Sequence, residues 1–256
     1  MKTRKRAKEW FDNESIWRET YPFMFPESRF AVAAENVAKA IKLTGVRGKS
    51  VLDHCCGPGR YSLALAARGF TVTGVDRTKF LLDKARAKAR AAHLKIEWIQ
   101  EDMRDFVRPD SYNLALSMFT SFGYFDNRGE DAVVLGNVFK SLRRGGAFLM
   151  DVMGKEQIAK IFSESSLETL PDGSMRVEQR KIVDDWTRIA NEWTVFRKGR
   201  VKQFAFNLNI YSGQELREAF ERAGFADVKL YGSMDGAPYG PNAKRLIVVG
   251  WKSKKH

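Results

Sequence analysis

Apolar positions along the chain fall into two kinds of run that follow one another. Short continuous apolar stretches at Ser50–His54, residues 70–75, 95–99, 112–118 and 147–152 read as buried parallel strands. Between them the apolar residues recur at helical spacing. Residues 27–43 carry Phe30, Ala34, Val37, Ala38 and Ile41 on one face, with Gly45 as the stop. Residues 60–68 carry Leu63, Ala64 and Ala67, and residues 78–92 and 131–142 follow the same pattern. Ser212 to Glu215 spells a capping box that opens a helix to Ala223, ended by Gly224. Two last apolar runs, residues 227–231 and 245–251, predict a closing antiparallel hairpin. Alternation of strand and helix gives an α/β class, a doubly wound, seven-stranded, mostly parallel sheet. From 175 to 209 the pattern becomes strand upon strand (177–183, 186–196, 201–209), with Asp184-Asp185 and Lys198-Gly199 as turns. That predicts a small antiparallel insertion, as a substrate cap or a dimer surface.

The chemistry concentrates in residues 50–76, SVLDHCCGPGRYSLALAARGFTVTGVD. A strand leads into Gly57-Pro58-Gly59, where missing side chains let a ligand approach the backbone. A helix N-terminus then points its free N–H groups at the turn. Asp76, closing the next strand, is placed to accept bonds from the hydroxyls of a ribose. The reading is an adenosine-bearing cofactor. A dinucleotide fingerprint would have glycine or alanine where Ser62 stands, which weakens a nicotinamide or flavin reading.

With Asp53, Cys56, Gly57 and Gly59 in place, the stretch resembles the first motif of class I S-adenosylmethionine-dependent methyltransferases. Cys55 departs from it, standing where the family most often has its first glycine. The resemblance runs from about residue 33 to 251 and implies a Rossmann-like fold and S-adenosylmethionine as cofactor. It implies a cofactor site of Asp53, Cys56, Gly57, Pro58, Gly59, Asp76, Arg77, Asp102, Met103, Met118 and Phe119, with Asp102 meeting the adenine amino group and the Met103 amide the ring. The loop FTSFGYF after the fourth strand lacks the Asn/Asp-Pro-Pro-aromatic motif of enzymes acting on base or glutamine amino groups. It looks like the loop of bacterial methyltransferases acting on small molecules. Ser121, Phe122 and Tyr124 are candidates there, and Asp151 near the end of the fifth strand could face the substrate. SLRRGGAFLMDV resembles the family's Leu-x-Pro-Gly-Gly stretch, with Arg143 to Gly146 expected to break the preceding helix before that strand.

Residues 1–26 form a basic and aromatic N-terminal arm, holding Trp10, Phe11, Trp17, Tyr21, Phe23 and Phe25, ahead of the methyltransferase domain at 27–256. So many rings suit either a packed arm or a lid. Tyr21 and Arg29 are candidate polar contacts, and Trp10, Tyr211 and Tyr239 candidate substrate contacts. If the acceptor needs a base, Tyr21, Tyr124, Asp151 or Tyr211 could serve.

Composition narrows the class. The 256 residues suit one sizeable domain, and 44% hydrophobic residues suffice for a core. No run nears the ~18 apolar residues of a membrane span, and the N-terminus lacks a signal-peptide core, so a cytoplasmic enzyme is expected. Two adjacent cysteines form neither a disulfide nor a zinc site and are expected to pack around the turn. His54, His93 and His256 are scattered, so no metal cluster is expected, and His54 reads as a packed strand residue. The net charge of +13 suits an acidic partner such as RNA, yet much of it sits in the tails: Lys2, Arg4, Lys5, Arg6, Lys8, Lys252, Lys254 and Lys255. A further cluster, Lys79, Lys84, Arg86, Lys88 and Arg90, lies on one helix as a solvated face or an acidic-partner surface. The expected function is methyl transfer to a small-molecule acceptor, by a monomer or homodimer. An RNA or protein methyltransferase and an NAD-dependent enzyme stand behind it.

Overall fold

The computed structural model describes residues 9–170 and 172–253. The basic groups expected at Lys2 to Lys8 and at Lys254, Lys255 and His256 lie outside the described residues. Seven strands form the main sheet: β1 Ser50–His54, β2 Thr71–Asp76, β3 Glu97–Gln100, β4 Tyr112–Ser117, β5 Leu142–Val152, β10 Ala226–Tyr231 and β11 Leu246–Trp251. Their order is β10-β11-β5-β4-β1-β2-β3, with β11 antiparallel to both neighbours and the other pairs parallel. This is the expected doubly wound sheet with its closing hairpin. The order reverses at β1, so the carboxyl ends of β1 and β4 flank the crevice where ligands bind in open sheets.

Side chains on the central strands sort by alternation into two cores. Leu52, Ala115, Phe148, Met150, Leu246 and Val248 face one way, packing with α5 (Arg128–Ser141) and α7 (Gly213–Arg222) through Val134, Leu135, Val138, Leu216 and Phe220. Val51, Leu114, Leu116, Leu149, Ile247 and Val249 face the other, against Ala33, Val37 and Ala40 of α2 (Glu27–Thr44) and Tyr61 and Leu65 of α3 (Arg60–Ala66). Burial on both faces is why these strands read as continuous apolar runs. Helix α4 (Lys79–Ala91) covers β2 and β3.

The helix signals hold. Gly45 is left-handed at φ +62° after α2, and Ser212 and Glu215 exchange capping bonds at 3.1 and 2.7 Å. At Arg143 to Gly146 the expectation fails in detail. β5 begins at Leu142 and runs through the pair of glycines, because Gly145 N–H donates to Lys252 O and Lys252 N–H to Gly146 O. That pairing comes from the far end of the chain.

The insertion is a four-stranded antiparallel sheet of β6 (Ser165–Thr169), β7 (Met175–Val183), β8 (Arg188–Arg197) and β9 (Arg200–Asn209), in that order. Asp184, Asp185 and Trp186, then Lys198 and Gly199, take positive φ at the two expected turns. The elements missed are β6, exposed along its length and polar except for Leu167, and α6 (Lys155–Ile161). The N-terminal arm holds a 3-10 turn at Trp10–Asp12 and α1 (Glu14–Met24), which continues through Pro22. Ile16 of α1 packs against Val195 and Phe204 of the insertion sheet. Arm and insertion therefore share one apolar cluster above the carboxyl ends of the main strands.

Candidate active site

β1 ends at His54 and the chain turns through Cys55, Gly57 and Gly59, all with positive φ. Cys55 thus keeps, at φ +59°, the backbone form a glycine would adopt freely, with its Sγ 3.4 Å from Met103 Sδ. The turn is fastened to β2. Cys56 N–H donates to Val75 O at 2.9 Å, and Gly57 N–H donates to Asp76 Oδ2 at 2.8 Å. Thr78 N–H donates to Asp76 Oδ1 at 2.8 Å. Burial raises the Asp76 pKa, and those two N–H groups oppose the rise. Each Asp76 oxygen retains acceptor capacity toward the cavity that Asp76 lines.

That cavity, about 180 Å³, is the candidate site. Its floor includes Asp53, Cys55, Cys56, Gly57, Asp76 and Arg77. A methyl group on Gly57 would point into the cavity, meeting nothing nearer than the Phe25 ring at 3.8 Å. Gly59 serves a different purpose: a Cβ there would lie 2.7 Å from Trp98 and 3.1 Å from Ala85. It seats Trp98 of β3, and neither Gly59 nor Pro58 lines the cavity. Asp53 accepts from Ser62 Oγ at 2.6 Å, and burial pushes its pKa up to about 6. Burial likewise pushes both thiols well up, so Cys55 and Cys56 are protonated packing residues, as expected. His54 is fully buried, and desolvation lowers its pKa to about 4, leaving a neutral core imidazole.

The loop after β4 supplies one wall, with Met118, Phe119, Thr120, Ser121 and Tyr124. Phe119 and Thr120 are both left-handed, at φ +62° and +58°. Such a pair costs about 1–2 kcal/mol per residue and needs outside support. Asp151 gives it: its Oδ2 accepts from Phe119 N at 3.1 Å and its backbone O from Thr120 N at 2.8 Å. Arg245 donates to Asp151 Oδ1 at 2.6 Å and to Thr120 Oγ1 at 2.9 Å. Asp151 therefore positions the loop and does not line the cavity, which corrects its reading as a catalytic candidate.

Other candidates are also placed elsewhere. Tyr21 packs outward among Phe25, Phe80 and Lys84. Arg29 donates to Met24 O at 2.8 Å and stacks on Phe119 outside the cavity lining. Phe122 is buried against Tyr211, whose hydroxyl donates to Asp131 at 2.5 Å. Tyr239 donates to Glu156 at 2.6 Å. The polar groups of Arg29, Tyr211 and Tyr239 are each engaged in joining elements of the fold. Tyr124 stays in the wall, and among the described residues its hydroxyl has no hydrogen-bond partner. Burial pushes its pKa up to about 12, so it suits donation of a hydrogen bond and not general base catalysis at neutral pH.

The roof comes from two segments far apart in sequence. The arm gives Trp10, Phe11, Ile16, Trp17, Met24 and Phe25; the insertion gives Trp193 and Phe206. Trp10 lies 4.9 Å from Phe206 and 5.1 Å from Tyr124, and Trp193 lies 5.1 Å from Phe206. Trp193 and Phe206 were missed as site residues, although the alternation of β8, with Ile189 and Val195 buried on the same face, marks the side Trp193 takes.

Ion pairs hold the arm down. Arg77 contacts Glu9 at 3.1 Å, Asp12 at 2.5 Å and Asp102 at 2.7 Å. Arg104, only 2% exposed in its side chain, reaches Glu9 at 2.5 Å, Asp102 at 2.7 Å and Glu130 at 3.0 Å. Burial alone would lower the Arg104 pKa, but the bonds to Asp102 and Glu9 raise it, so it stays charged. Burial likewise works to raise the Asp102 pKa, and Arg104 with Arg77 overcomes it and lowers it. Asp102 Oδ1 accepts from Arg104 N and Nε, and Oδ2 from Arg77 and Arg104 Nη2. Its four acceptor directions are thereby filled. Asp102 and Met103 both line the cavity, but the role of meeting an adenine amino group, expected for Asp102, is not open to its carboxylate while Arg77 and Arg104 occupy both oxygens.

Comparison with known proteins agrees with this geometry. The family described as methyltransferase domain matches residues 51–146. The chain is 31% identical over 209 residues to YqeM of Bacillus subtilis (strain 168), a protein classed with the methyltransferases, covering 80% of this chain and 84% of that one. A Geobacillus sp. (strain WCH70) protein of the same class is 30% identical over 156 residues, covering 60% of this chain and 62% of the relative's length. A solved S-adenosylmethionine-dependent methyltransferase from Clostridium acetobutylicum ATCC 824 superposes with a TM-score of 0.78 at 12% identity, covering 94% of this chain and 98% of that one. Strand order, the glycine turn bound to Asp76, and these similarities agree: the chain belongs to the class I S-adenosylmethionine-dependent methyltransferases.

Proposed function

We propose that the protein transfers a methyl group from S-adenosylmethionine to a small-molecule acceptor through an N, O or C nucleophile. The observation carrying this is the cavity itself, with Asp53, Gly57 and Asp76 below and a roof of Trp10, Trp17, Trp193 and Phe206 above. S-adenosylmethionine, when bound, supplies an electrophilic methyl on a sulfonium. The chain's task is then to orient an acceptor in line and exclude water. Gly57 leaves room against the backbone, and Asp76 has acceptor capacity for ribose hydroxyls. The acceptor oxygens of Asp53 and Asp76 in the cavity lining fit the ammonium and ribose hydroxyls of the cofactor. The apolar roof excludes water, and the Tyr124 hydroxyl is free to bond a polar group of the acceptor.

In this reading the described part of the arm, residues 9–26, is a lid and the insertion at 175–209 a substrate cap. An enclosed aromatic roof favours a small acceptor over an RNA or a folded protein. Part of the basic face of α4 is also neutralised within the chain: Lys79 and Arg86 pair with Asp83, and Lys88 with Glu27. No described helix is long and apolar enough to cross a membrane. Calorimetry with S-adenosylmethionine, S-adenosylhomocysteine and NAD tests the cofactor, and saturable binding of NAD alone would sink the proposal. For the acceptor, a metabolite extract incubated with enzyme and labelled cofactor should yield a product heavier by one methyl group. Methyl transfer to RNA with a steep salt dependence of binding would instead favour a nucleic-acid substrate.

A further inference from the structure

Arg60, the first residue of α3, is 8% exposed and lines the cavity. Its guanidinium carbon lies 4.8 Å from the Phe119 ring centre, 5.3 Å from Phe25 and 6.0 Å from Tyr61. Among the described residues its guanidinium has neither a hydrogen-bond acceptor nor a carboxylate in ion-pair reach. Burying an arginine in this way is costly, and cation–π attraction offsets only part of that cost. Elsewhere in the fold the same cost is met by acids: Arg104 has Glu9, Asp102 and Glu130, and Arg176 has Glu168 and Glu178. Of the two arginines buried outright among the described residues, Arg104 and Arg60, only Arg60 lacks a carboxylate within ion-pair reach, and it faces a cavity.

Two neighbours define what the guanidinium would accept. Arg29 stands 4.8 Å from the same Phe119 ring, so positive charge gathers on this side of the loop. Asp53 also lines the cavity, and it makes no ion pair with Arg60. Burial is the main influence and lowers the Arg60 pKa, Arg29 adds to it, and Tyr61, Asp53 and Asp151 oppose it from a distance without reversing it.

We propose that the Arg60 guanidinium is a carboxylate-binding group of this cavity. The proposal rests on the methyltransferase reading above. A carboxylate matches the fork of the guanidinium, with two parallel N–H···O bonds. The carboxylate has two sources, the amino-acid end of the cofactor and an acid group on the acceptor. The first would also place the ammonium of that amino acid in the cavity that holds Asp53.

The test is calorimetry on the full chain, wild type against Arg60→Gln and Arg60→Lys. Probes are S-adenosylhomocysteine, 5′-methylthioadenosine, which lacks the amino-acid end, and benzoate added to protein saturated with S-adenosylhomocysteine. If the cofactor supplies the carboxylate, Arg60→Gln weakens S-adenosylhomocysteine by about 10–100-fold and leaves methylthioadenosine within twofold. Arg60→Lys, keeping the charge without the fork, loses less. If the acceptor supplies it, S-adenosylhomocysteine binding is unchanged, and benzoate binds the saturated wild type but not Arg60→Gln. Unchanged S-adenosylhomocysteine binding with no difference in benzoate overturns the proposal. Failure of the wild type to bind either nucleoside overturns the methyltransferase reading instead. Thermal melting without ligand checks the fold. Removing a buried charge that has no ion-pair partner should leave the midpoint of Arg60→Gln close to wild type, and if that variant does not fold, Arg60→Lys carries the same comparison with a several-fold loss.

Discussion

Gly57 donates its backbone N–H to Asp76 Oδ2 at 2.8 Å, joining the glycine turn to the end of the neighbouring strand across 19 residues of chain. One carboxylate thereby holds the turn in shape and presents acceptors to the cavity. Asp76→Ala removes both functions, and loss of charge-assisted bonds is expected to weaken S-adenosylhomocysteine binding by about 1.5–3 kcal/mol. Calorimetry on a variant shown to be folded by circular dichroism measures this. Unchanged affinity would take Asp76 out of the site.

The two glycines of the turn should separate binding from stability. A methyl at Gly57 enters the cavity, so Gly57→Ala is expected to lose cofactor affinity, with about 1–2 kcal/mol of backbone strain at φ +55°. At Gly59 the methyl collides with Trp98, so Gly59→Ala adds overpacking to that strain and should lower stability by about 2–4 kcal/mol. Urea unfolding and calorimetry on both variants read the contrast, and equal effects on binding would contradict it.

Arg104 links the arm to β3. Replacing it with methionine leaves Asp102 and Glu9 without their main counter-charge and is expected to cost about 3–5 kcal/mol of stability. Glu9→Gln spares the Asp102 pair, so its effect should be smaller and local. Hydrogen exchange in α1 should quicken in Glu9→Gln while exchange in β4 and β11 stays as in wild type.

Asp131 makes a pH prediction. Its Oδ2 accepts from Tyr211 and Asn209, yet burial dominates and pushes its pKa up to about 6, while the unfolded chain keeps the ordinary value near 3.8. A raised carboxyl pKa stabilises the fold fully below pH 3.8, and that contribution is lost as pH rises through about 6. The loss amounts to about 3 kcal/mol, at 1.36 kcal/mol per pKa unit. Asp131→Asn should remove this contribution, so its melting temperature relative to wild type rises between pH 4 and 6, while Asp53 and Asp76, whose pKa values are also raised, act alike in both proteins. An unaltered pH profile would contradict the assignment.

Trp193 and Phe206 bring the insertion to the cavity. Trp193→Ala and Phe206→Ala should leave S-adenosylhomocysteine affinity within twofold while methyl transfer to the acceptor of a metabolite extract falls at least tenfold. Equal loss of cofactor binding would mean that the insertion belongs to the cofactor floor.

What the chain determined alone is what depends on neighbours in sequence. Continuous apolar runs and helical spacing gave the seven main strands and most helices, because the central strands are buried on both faces and their pattern does not depend on partners. The glycine turn and Asp76 were legible for the same reason, since strand, turn and helix N-terminus are consecutive. β6 was not, because an exposed polar strand is defined only by the backbone of β7 that pairs with it. The tertiary structure decided which polar groups remain available. Asp151, Tyr211 and Tyr239 have the right chemistry for a site, but bonds to Arg245, Asp131 and Glu156 commit them to holding the fold. Asp102 has the expected position, and Arg104, two residues along, fills it. Arg60 reads as an ordinary helix residue until burial without an acid partner sets it apart. Spacing along a chain reports where a side chain starts, and only packing reports which partner it has already met.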